Sequence, residues 1–233
     1  MFNHRRRTVA QVLAIAATPV LALAQSGATP PSEAPPEIKA PEATPPQATA
    51  KTVRELEAKT GLPIGWGAPA VGLKNAKGET VELAELYTLG PTVVAFYRGG
   101  WCPFCSRQLT DWQEYAQDFE DAGVNVVFIT PESVENVNGS IEKTETTFTV
   151  LSDSDQQAAQ LFNVIFALDA KTRNAYKGYG IDLQAWNANA QWKLPVPGVF
   201  LIDTEGVVRW QSIDENYKVR VDPETVLEAV AEL

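Results

Sequence analysis

The sequence predicts an α/β domain with a central mixed β-sheet flanked by helices, and three patterns support this class. Residues Thr92 to Tyr97 form a short apolar run bounded by glycine and proline, which is typical of a buried strand. Apolar residues at helical spacing follow it, namely Leu109, Trp112, Ala116 and Phe119. A second apolar run covers 124–130. A buried strand, a helix of about twenty residues and another buried strand predict a right-handed parallel βαβ unit.

The N-terminal residues Met1 to Ala24 have the organisation of a signal peptide. Arg5 to Arg7 precede an apolar stretch, Val9 to Leu23, which ends in the small-x-small sequence Ala22-Leu23-Ala24. We therefore expect export to the periplasm, and the consecutive arginines also suit the twin-arginine route. The stretch is shorter than the roughly 18–20 residues of a membrane span. We expect no stable membrane insertion after cleavage, with an uncleaved anchor as the alternative.

Residues Gln25 to Ala50 are predicted to be a disordered linker. They are rich in proline and alanine and carry hardly any large apolar side chains. Such a segment cannot bury enough surface to offset the entropy lost on ordering. Its length suits a tether for the thiol-bearing domain at 51–233 or a clearance of that domain from the membrane surface, and dispensable filler is the alternative.

The charge of the chain excludes one class of partner. The formal net charge is −10, and it becomes −13 once residues 1–24, with three arginines and no acidic residue, are removed. No contiguous basic surface is left to neutralise phosphates, so we expect no nucleic-acid binding. The simplest explanation of the acidity is solubility.

The other elements of the domain follow from short-range patterns. A helix over 51–60 is predicted to cap the domain. The elements before the βαβ unit are two strands, 71–73 and 79–83, around the turn Asn75–Gly78, and a helix over 83–89. The elements after it are a helix over 132–147 broken near Asn138-Gly139, a strand at 148–151, a helix over 154–162, a hairpin of 199–203 and 207–213, and a closing helix over 223–233.

The segment 163–194 is long and rich in aromatic and amide side chains, and it is predicted to be irregular. Long segments of this kind in compact domains are often functional, so one hypothesis is a lid or partner-binding surface beside the cysteines. The other is an insertion that is packed for its own stability. We favour the second.

Cys102 and Cys105 are the only cysteines, and they lie at the predicted start of the helix that follows the central strand. Unpaired backbone N–H groups and the helix dipole favour the thiolate there, and Pro103 suits the first helical position. A bridge between residues three apart on a helix requires a distorted first turn and is therefore easily reduced. The pattern predicts a redox-active pair.

Three other interpretations of the cysteines remain. A structural disulfide that closes so small a loop restricts the unfolded chain little. A structural zinc site needs four ligands, and the only histidine, His4, lies in the predicted signal peptide, so no metal is expected. Two inert buried thiols would need a reducing compartment, which disagrees with export.

The chain also resembles a known family. The motif WCPFC after a strand, the entry sequence AVGLKNAKGETVELAEL and the later sequence PVPGVFLIDTEGVVRW resemble the thioredoxin superfamily. More narrowly, they are similar to the alkyl hydroperoxide reductase/thiol-specific antioxidant (AhpC/TSA) group of peroxiredoxin-like proteins. The resemblance extends from Gly67 to the C-terminus and implies a thioredoxin-like fold.

The resemblance to thioredoxins implies roles for several residues. Cys102 would attack, Cys105 would resolve the mixed disulfide, and the two would cycle through a redox-active disulfide. Pro197 matches in position the cis-proline beside the motif, where a free backbone edge could pair with a substrate chain. Trp101 and Pro103 would help to position substrate. The central strand lacks the buried acid that many thioredoxins carry, so proton transfer needs solvent or a group from elsewhere in the fold.

The resemblance to peroxiredoxins implies a different assignment. Their proline, hydroxyl and peroxidatic cysteine fall on Arg98, Cys102 and Cys105, and the place of their distant supporting arginine falls on Pro197. The groups that polarise the peroxide bond are therefore missing. Arg98 could replace part of that charge, although an arginine after a strand is more often a solvated surface residue.

Three functions remain, and we favour the first. An exported thiol redox enzyme would exchange disulfides with proteins or small thiols through Cys102 and Cys105 in cell redox homeostasis, without a cofactor. A peroxiredoxin-type peroxidase would reduce hydroperoxides with Cys105, or Cys102, as the peroxidatic cysteine and a thiol as electron donor. A non-catalytic exported binding module is the third.

Overall fold

The computed structural model describes residues 60–233. The predicted signal peptide and linker lie outside the described residues, as does the predicted helix from Lys51 up to residue 59. Among the described residues, no helix is both long and apolar enough to cross a membrane.

A seven-stranded mixed β-sheet forms the centre of the domain, in the order β2-β1-β5-β4-β3-β8-β9. Its strands are β1 (Gly72–Asn75), β2 (Thr80–Glu82), β3 (Thr92–Phe96), β4 (Asn125–Thr130), β5 (Thr149–Ser152), β8 (Gly198–Ile202) and β9 (Val208–Ile213). A separate antiparallel pair consists of β6 (Ile165–Ala167) and β7 (Lys193–Pro195). The helices are α1 (Leu83–Leu89), α2 (Pro103–Gln113), α3 (Ala116–Asp121), α4 (Val134–Thr144), α5 (Gln157–Leu161), α6 (Ala170–Gly178), α7 (Leu183–Asn187) and α8 (Pro223–Ala231).

The predicted βαβ unit is confirmed. Strand β3 pairs in parallel with β4, and β4 pairs in parallel with β5. Strand β8 pairs antiparallel with β3 and with β9, which confirms the C-terminal hairpin and makes the sheet mixed. All five residues of β3 are buried, because β3 has neighbours on both sides and helices over both faces.

Two hydrophobic layers cover the sheet, and alternation along β3 divides its side chains between them. Val94 and Phe96 face the layer that includes residues of α1 and α5. Val93, Ala95 and Tyr97 face the layer that includes residues of α2, α3, α4 and α8. Both cysteines belong to this second layer. The sheet therefore holds the cysteine-bearing helix against a packed core.

The helix after β3 is shorter than predicted. The periodicity of Leu109, Trp112 and Phe119 indicates one helix, but the chain forms α2 and α3 with a break at Glu114-Tyr115. At the break, the Glu114 and Tyr115 N–H groups bond to carbonyls three residues back rather than four. The turn still stacks Trp112 on Phe119, with ring centroids 5.5 Å apart. Core packing is thus kept although the helix is interrupted.

Two further predictions were wrong. The break near Asn138-Gly139 does not occur, since α4 is continuous and is capped by Ser133, whose Oγ accepts from the Asn136 N–H. Asn138 stays helical while its side-chain amide donates to the Val134 carbonyl. The segment 163–194 is not irregular: it folds into β6, α6, α7 and β7. Asp169 and Asp182 are the N-cap residues of its two helices. These capping residues indicate helix starts, which the prediction from aromatic composition did not take into account.

Gly139 and Gly123 provide a test of the backbone assignment. A Cβ at either position meets nothing within 4 Å, but Gly139 lies inside α4 whereas Gly123 has a φ of +65°. We expect Gly139→Ala to raise the free energy of unfolding by about 0.5–1 kcal/mol and Gly123→Ala to lower it by about 1–2 kcal/mol. Urea unfolding with an unchanged m-value measures both. Destabilisation by Gly139→Ala would contradict a continuous α4.

Candidate functional site

The cysteines lie where the sequence predicts, at the start of the helix after the central strand. Cys102 is the N-cap residue of α2 and Pro103 occupies the first turn. Both cysteines are free thiols, with Cys102 1% and Cys105 0% exposed. The Cys105 side chain faces the core one turn into the helix, and Cys102 lies at the open end of the helix.

Cys102 is in an environment that favours the thiolate. A hydrogen bond from the Cys105 thiol is the main cause that lowers the pKa of Cys102 to about 6. Burial opposes this shift, whereas the backbone N–H groups of Cys105 and Phe104 and the charge of Arg98 add to it. The Phe104 N–H is among those that a helix start leaves without a backbone partner, whereas the Cys105 N–H also donates to the Cys102 carbonyl at 3.0 Å. At neutral pH, Cys102 is therefore mainly a thiolate.

Cys105 is the proton-bearing partner. Burial and the hydrogen bond to Cys102 raise the pKa of Cys105, while Arg220 opposes the shift. The guanidinium Nη2 of Arg220 lies 3.4 Å from the Cys105 sulfur. The contact with Arg220 favours the thiolate form of Cys105, whereas burial favours its thiol form. We assign the shared proton to Cys105, because the N–H groups of the helix start converge on Cys102.

Arg98 is buried rather than solvated, with 2% of its surface exposed. Its guanidinium carbon lies 4.1 Å from the ring centroid of Tyr217, 5.1 Å from that of Trp101 and 5.6 Å from that of Tyr176. Its Nη2 donates to the Tyr176 hydroxyl. Aromatic faces therefore take the place of a carboxylate beside this cation.

Arg220 is a site residue that sequence reasoning missed. It lies between β9 and α8, and its Nη1 is held by the carbonyls of Tyr217 and Val219. In the described part of the chain, the ion pairs are those of Arg209 with Asp203 and Glu205, so neither Arg98 nor Arg220 has a carboxylate within 4.0 Å. No local motif marks Arg220, because it meets Cys105 only through the tertiary fold.

Glu132 is a second residue that the sequence did not reveal. Its carboxylate is fully buried after β4 and accepts from the hydroxyls of Tyr97, Thr130 and Ser140. Burial raises its pKa, and a hydrogen bond from the Gly100 backbone N–H opposes the shift. A buried acid, absent from β3, is thus present just after the neighbouring strand β4, where it contacts Gly100 in the loop that leads to the cysteines.

Gly100 is the residue through which Glu132 and α4 hold that loop. Its carbonyl accepts from Ser106 Oγ at 3.0 Å and from Lys143 Nζ at 2.9 Å. A Cβ on Gly100 would lie 2.8 Å from the Cβ of Ser140 and would collide with its Oγ. Only glycine lets the loop approach α4 this closely, so the position of Cys102 depends on this contact.

The backbone edge expected beside Pro197 is engaged. The Val196 N–H donates to the Val164 carbonyl at 2.5 Å, and the Pro197 carbonyl accepts from the Asp214 N–H at 3.4 Å. Pro197 itself is buried, and together with Gln108 and Arg220 it lines a cavity of about 110 Å³. The Val196 N–H and the Pro197 carbonyl are therefore not available to a substrate chain without a local rearrangement.

The segment 163–194 lies beside the cysteines. The ring of Tyr176 in α6 packs edge-on against Trp101, with centroids 5.6 Å apart. Trp101 also borders the small core of Leu168, Leu183 and Leu194. The segment thus has its own core and also contacts the motif. Within residues 60–233, no three His, Cys, Asp or Glu side chains cluster as metal ligands would.

Comparisons with known proteins agree on one family. Residues 64–211, more than half of the chain, match the model of the AhpC/TSA family. The relatives include a provisionally named peroxiredoxin of Mycobacterium tuberculosis, 37% identical over 98 residues, and peroxiredoxin Bcp of Bacillus subtilis, 29% identical over 103 residues. These alignments cover 42% and 44% of this chain. The chain spans 62% and 65% of the length of the two relatives.

Solved structures share the fold. Peroxidoxin BcpB from Mycobacterium tuberculosis superposes with a TM-score of 0.59 at 19% identity, over 75% of this chain and 99% of that one. Peroxiredoxin Q from Xanthomonas campestris gives a TM-score of 0.54 at 22% identity, over 70% and 90% of the two chains. These likenesses confirm the predicted thioredoxin-like fold.

The hydrogen bond between the cysteines can be tested by two substitutions of one residue. Cys105→Ala removes the donor to Cys102, whereas Cys105→Ser keeps a hydroxyl donor in the same place. We expect the pKa of Cys102 to rise above about 6 in the alanine variant and to stay closer to it in the serine variant. Thiolate absorbance at 240 nm against pH measures the midpoint. Equal midpoints would show that the Cys105 donor contributes nothing and that the backbone N–H groups and Arg98 set the pKa of Cys102.

Proposed function

Because the chain belongs to the AhpC/TSA family, we propose that it is a thiol-dependent peroxidase in which Cys102 attacks the hydroperoxide and Cys105 resolves the product. The observation that carries this proposal is a buried thiol pair in which Cys102, favoured as the thiolate, accepts from Cys105, with Arg98 acting on Cys102 and Arg220 contacting Cys105, neither with a carboxylate partner among the described residues. A peroxidatic site needs a thiolate nucleophile and positive charge where negative charge develops on the leaving oxygen.

The proposed cycle has three steps. The Cys102 thiolate attacks one peroxide oxygen, an S–O bond forms, the O–O bond breaks, and the released alkoxide takes a proton from solvent to leave as alcohol or water. The Cys105 sulfur then attacks the Cys102 sulfenic acid, forming the disulfide, and its proton leaves with the hydroxyl group as water. An external dithiol reduces the disulfide and is itself oxidised to a disulfide.

Arg98 and Arg220 supply the charge that the peroxiredoxin pattern lacks at Pro197. Each guanidinium has an Nε that is buried and has no hydrogen-bond partner among the described residues. These N–H groups are available to a peroxide oxygen, and a donor in a site that excludes water stabilises developing charge more strongly than it does in water. The two arginines therefore support opposite ends of the cysteine pair.

The assignment reverses the peroxiredoxin register, in which Cys105 is the peroxidatic position. Burial raises the pKa of Cys105, so Cys105 reacts poorly as the first nucleophile. Cys102 occupies the register position of the peroxiredoxin hydroxyl and has the lowered pKa. Once Cys102 is oxidised, Arg220 remains beside Cys105 and favours the thiolate needed for the resolving step.

Disulfide exchange is the second candidate, since the Cys102-Cys105 spacing and the lowered pKa of Cys102 suit it equally well. The burial of both sulfurs and the engaged edge beside Pro197 favour a small oxidant over a protein disulfide. A non-catalytic binding module would need no shifted thiol pKa.

We further propose that the signal peptide exports the protein to the periplasm, where hydroperoxides and a thiol electron donor would be its partners.

The test is stopped-flow oxidation of the reduced protein by hydrogen peroxide, followed by tryptophan fluorescence, since Trp101 adjoins Cys102. We expect a rate on the order of 100-fold above that of free cysteine at equal thiolate fraction, equivalent to about 2.7 kcal/mol of transition-state stabilisation. A rate like that of a free thiolate would exclude the peroxidase and leave disulfide exchange.

The roles of the two cysteines are separated by single substitutions. We expect Cys102→Ser to abolish the fast phase, because it removes the thiolate. Cys105→Ser should accumulate a sulfenic acid on Cys102, which dimedone labelling and peptide mass spectrometry locate. If the Cys102→Ser variant kept the fast phase and dimedone labelled Cys105, then Cys105 would be the peroxidatic cysteine, as in the peroxiredoxin pattern.

A further inference from the structure

We propose that Tyr176 and Tyr217 form an aromatic gate over Cys102, which admits small hydroperoxides and excludes bulky ones and protein disulfides. The inference rests on the proposed peroxidase and names the size class of its substrate. The term aromatic gate refers below to these two side chains. Neither belongs to the cysteine motif, and both contact Arg98, through which they act on the Cys102 thiolate.

Each ring of the gate closes on one aromatic neighbour of Cys102. Tyr176 packs edge-on against Trp101 at 5.6 Å between centroids, and Tyr217 packs edge-on against Phe104 at 5.7 Å. Trp101 directly precedes Cys102 in the chain, and Phe104 follows it after Pro103. Two pairs of rings therefore lie beside the motif, and Cys102 itself is 1% exposed although it lies at the open end of a helix.

Arg98 is the point on which both parts of the gate close. Its guanidinium lies 4.1 Å from the Tyr217 ring centroid and donates to the Tyr176 hydroxyl. The same guanidinium lowers the pKa of Cys102. Arg98 thus holds the two tyrosines in place and also stabilises the Cys102 thiolate, so closure of the gate and stabilisation of the thiolate depend on the same residue.

The segments that carry the gate can move without opening the main core. Helix α6 carries Tyr176 and has no buried side chain. Tyr217 is 39% exposed, in the connection between β9 and α8. Displacing either side chain exposes little apolar surface, so small openings cost less free energy than those of core elements.

A size filter follows from this arrangement. Hydrogen peroxide is comparable in size to two water molecules and can pass when one ring shifts slightly. A cumyl group or a protein disulfide needs both rings to leave together, along with loss of the bond between Arg98 and Tyr176. Since rotamer changes of exposed rings are fast and concerted displacements are slower, access falls steeply with substrate size.

The experiment compares hydrogen peroxide with cumene hydroperoxide in stopped flow. The variants are Tyr176→Ala, Tyr217→Ala and both together, with Tyr179→Ala as the matched control, because Tyr179 ends the same helix and is 78% exposed. We expect the double variant to raise the ratio of the cumene hydroperoxide rate to the hydrogen peroxide rate by about tenfold or more, and the control to leave it unchanged. Tyr176→Phe keeps the ring but removes the hydroxyl, and should give an intermediate ratio.

Two outcomes would overturn the gate. One is an unchanged ratio in a double variant that remains folded by circular dichroism and retains fast hydrogen peroxide reduction. The other concerns alkylation of Cys102 by the small N-ethylmaleimide and the bulky fluorescein maleimide, a reaction that requires no peroxidase chemistry. The gate would be contradicted if the ratio of the two alkylation rates were the same in wild type and in the double variant. If wild type reacts slowly with hydrogen peroxide while the maleimide ratio changes as expected, the peroxidase fails and the gate stands.

Discussion

Burial of the Arg98 guanidinium is the constraint on which the rest of the site depends. Removing a guanidinium from water costs several kcal/mol unless other groups compensate. Here the faces of Trp101, Tyr176 and Tyr217, the Tyr176 hydroxyl and the Cys102 thiolate together provide that compensation. Because no carboxylate within the described chain neutralises it, the cation favours a negative charge on sulfur. If the proposed gate controls access, substrate access and nucleophile charge are linked through Arg98.

The fold fixes the two cysteines in unequal surroundings although they are only three residues apart. Strand β3 delivers the chain to the Gly100 loop, and the loop is held by Glu132, Ser106 and Lys143. Cys102 then meets the free N–H groups of α2, while Cys105, one turn later, faces the core. The inequality comes from helix geometry, so it holds whether the oxidant is a peroxide or a disulfide.

Much of the fold could be predicted from the sequence because its signals are local. The run at Thr92 to Tyr97, the glycine at 123 and the proline at 103 mark a strand, a turn and a helix start, and all three are confirmed. The continuous α4 could not be predicted, because Ser133 capping outweighs the weak helix propensity of Gly139. Glu132, Arg220 and Tyr176 come from elements far apart in sequence, so no spacing rule could join them to the cysteines.

The position of the charges explains how a CxxC motif fits into this family. In the peroxiredoxin register, a hydroxyl precedes the cysteine and a distant arginine faces it. Here Cys102 replaces the hydroxyl, Arg220 faces Cys105 from the C-terminal connection, and Arg98 is added beside Cys102. A hydroxyl in that position can only donate or accept a hydrogen bond, whereas a cysteine at a helix start becomes the stronger nucleophile of the pair. In the proposed cycle, replacing the hydroxyl with a thiol moves the first nucleophile one turn toward the open end of the helix. Cys105 stays in the core, where the proposed cycle makes it the resolving group.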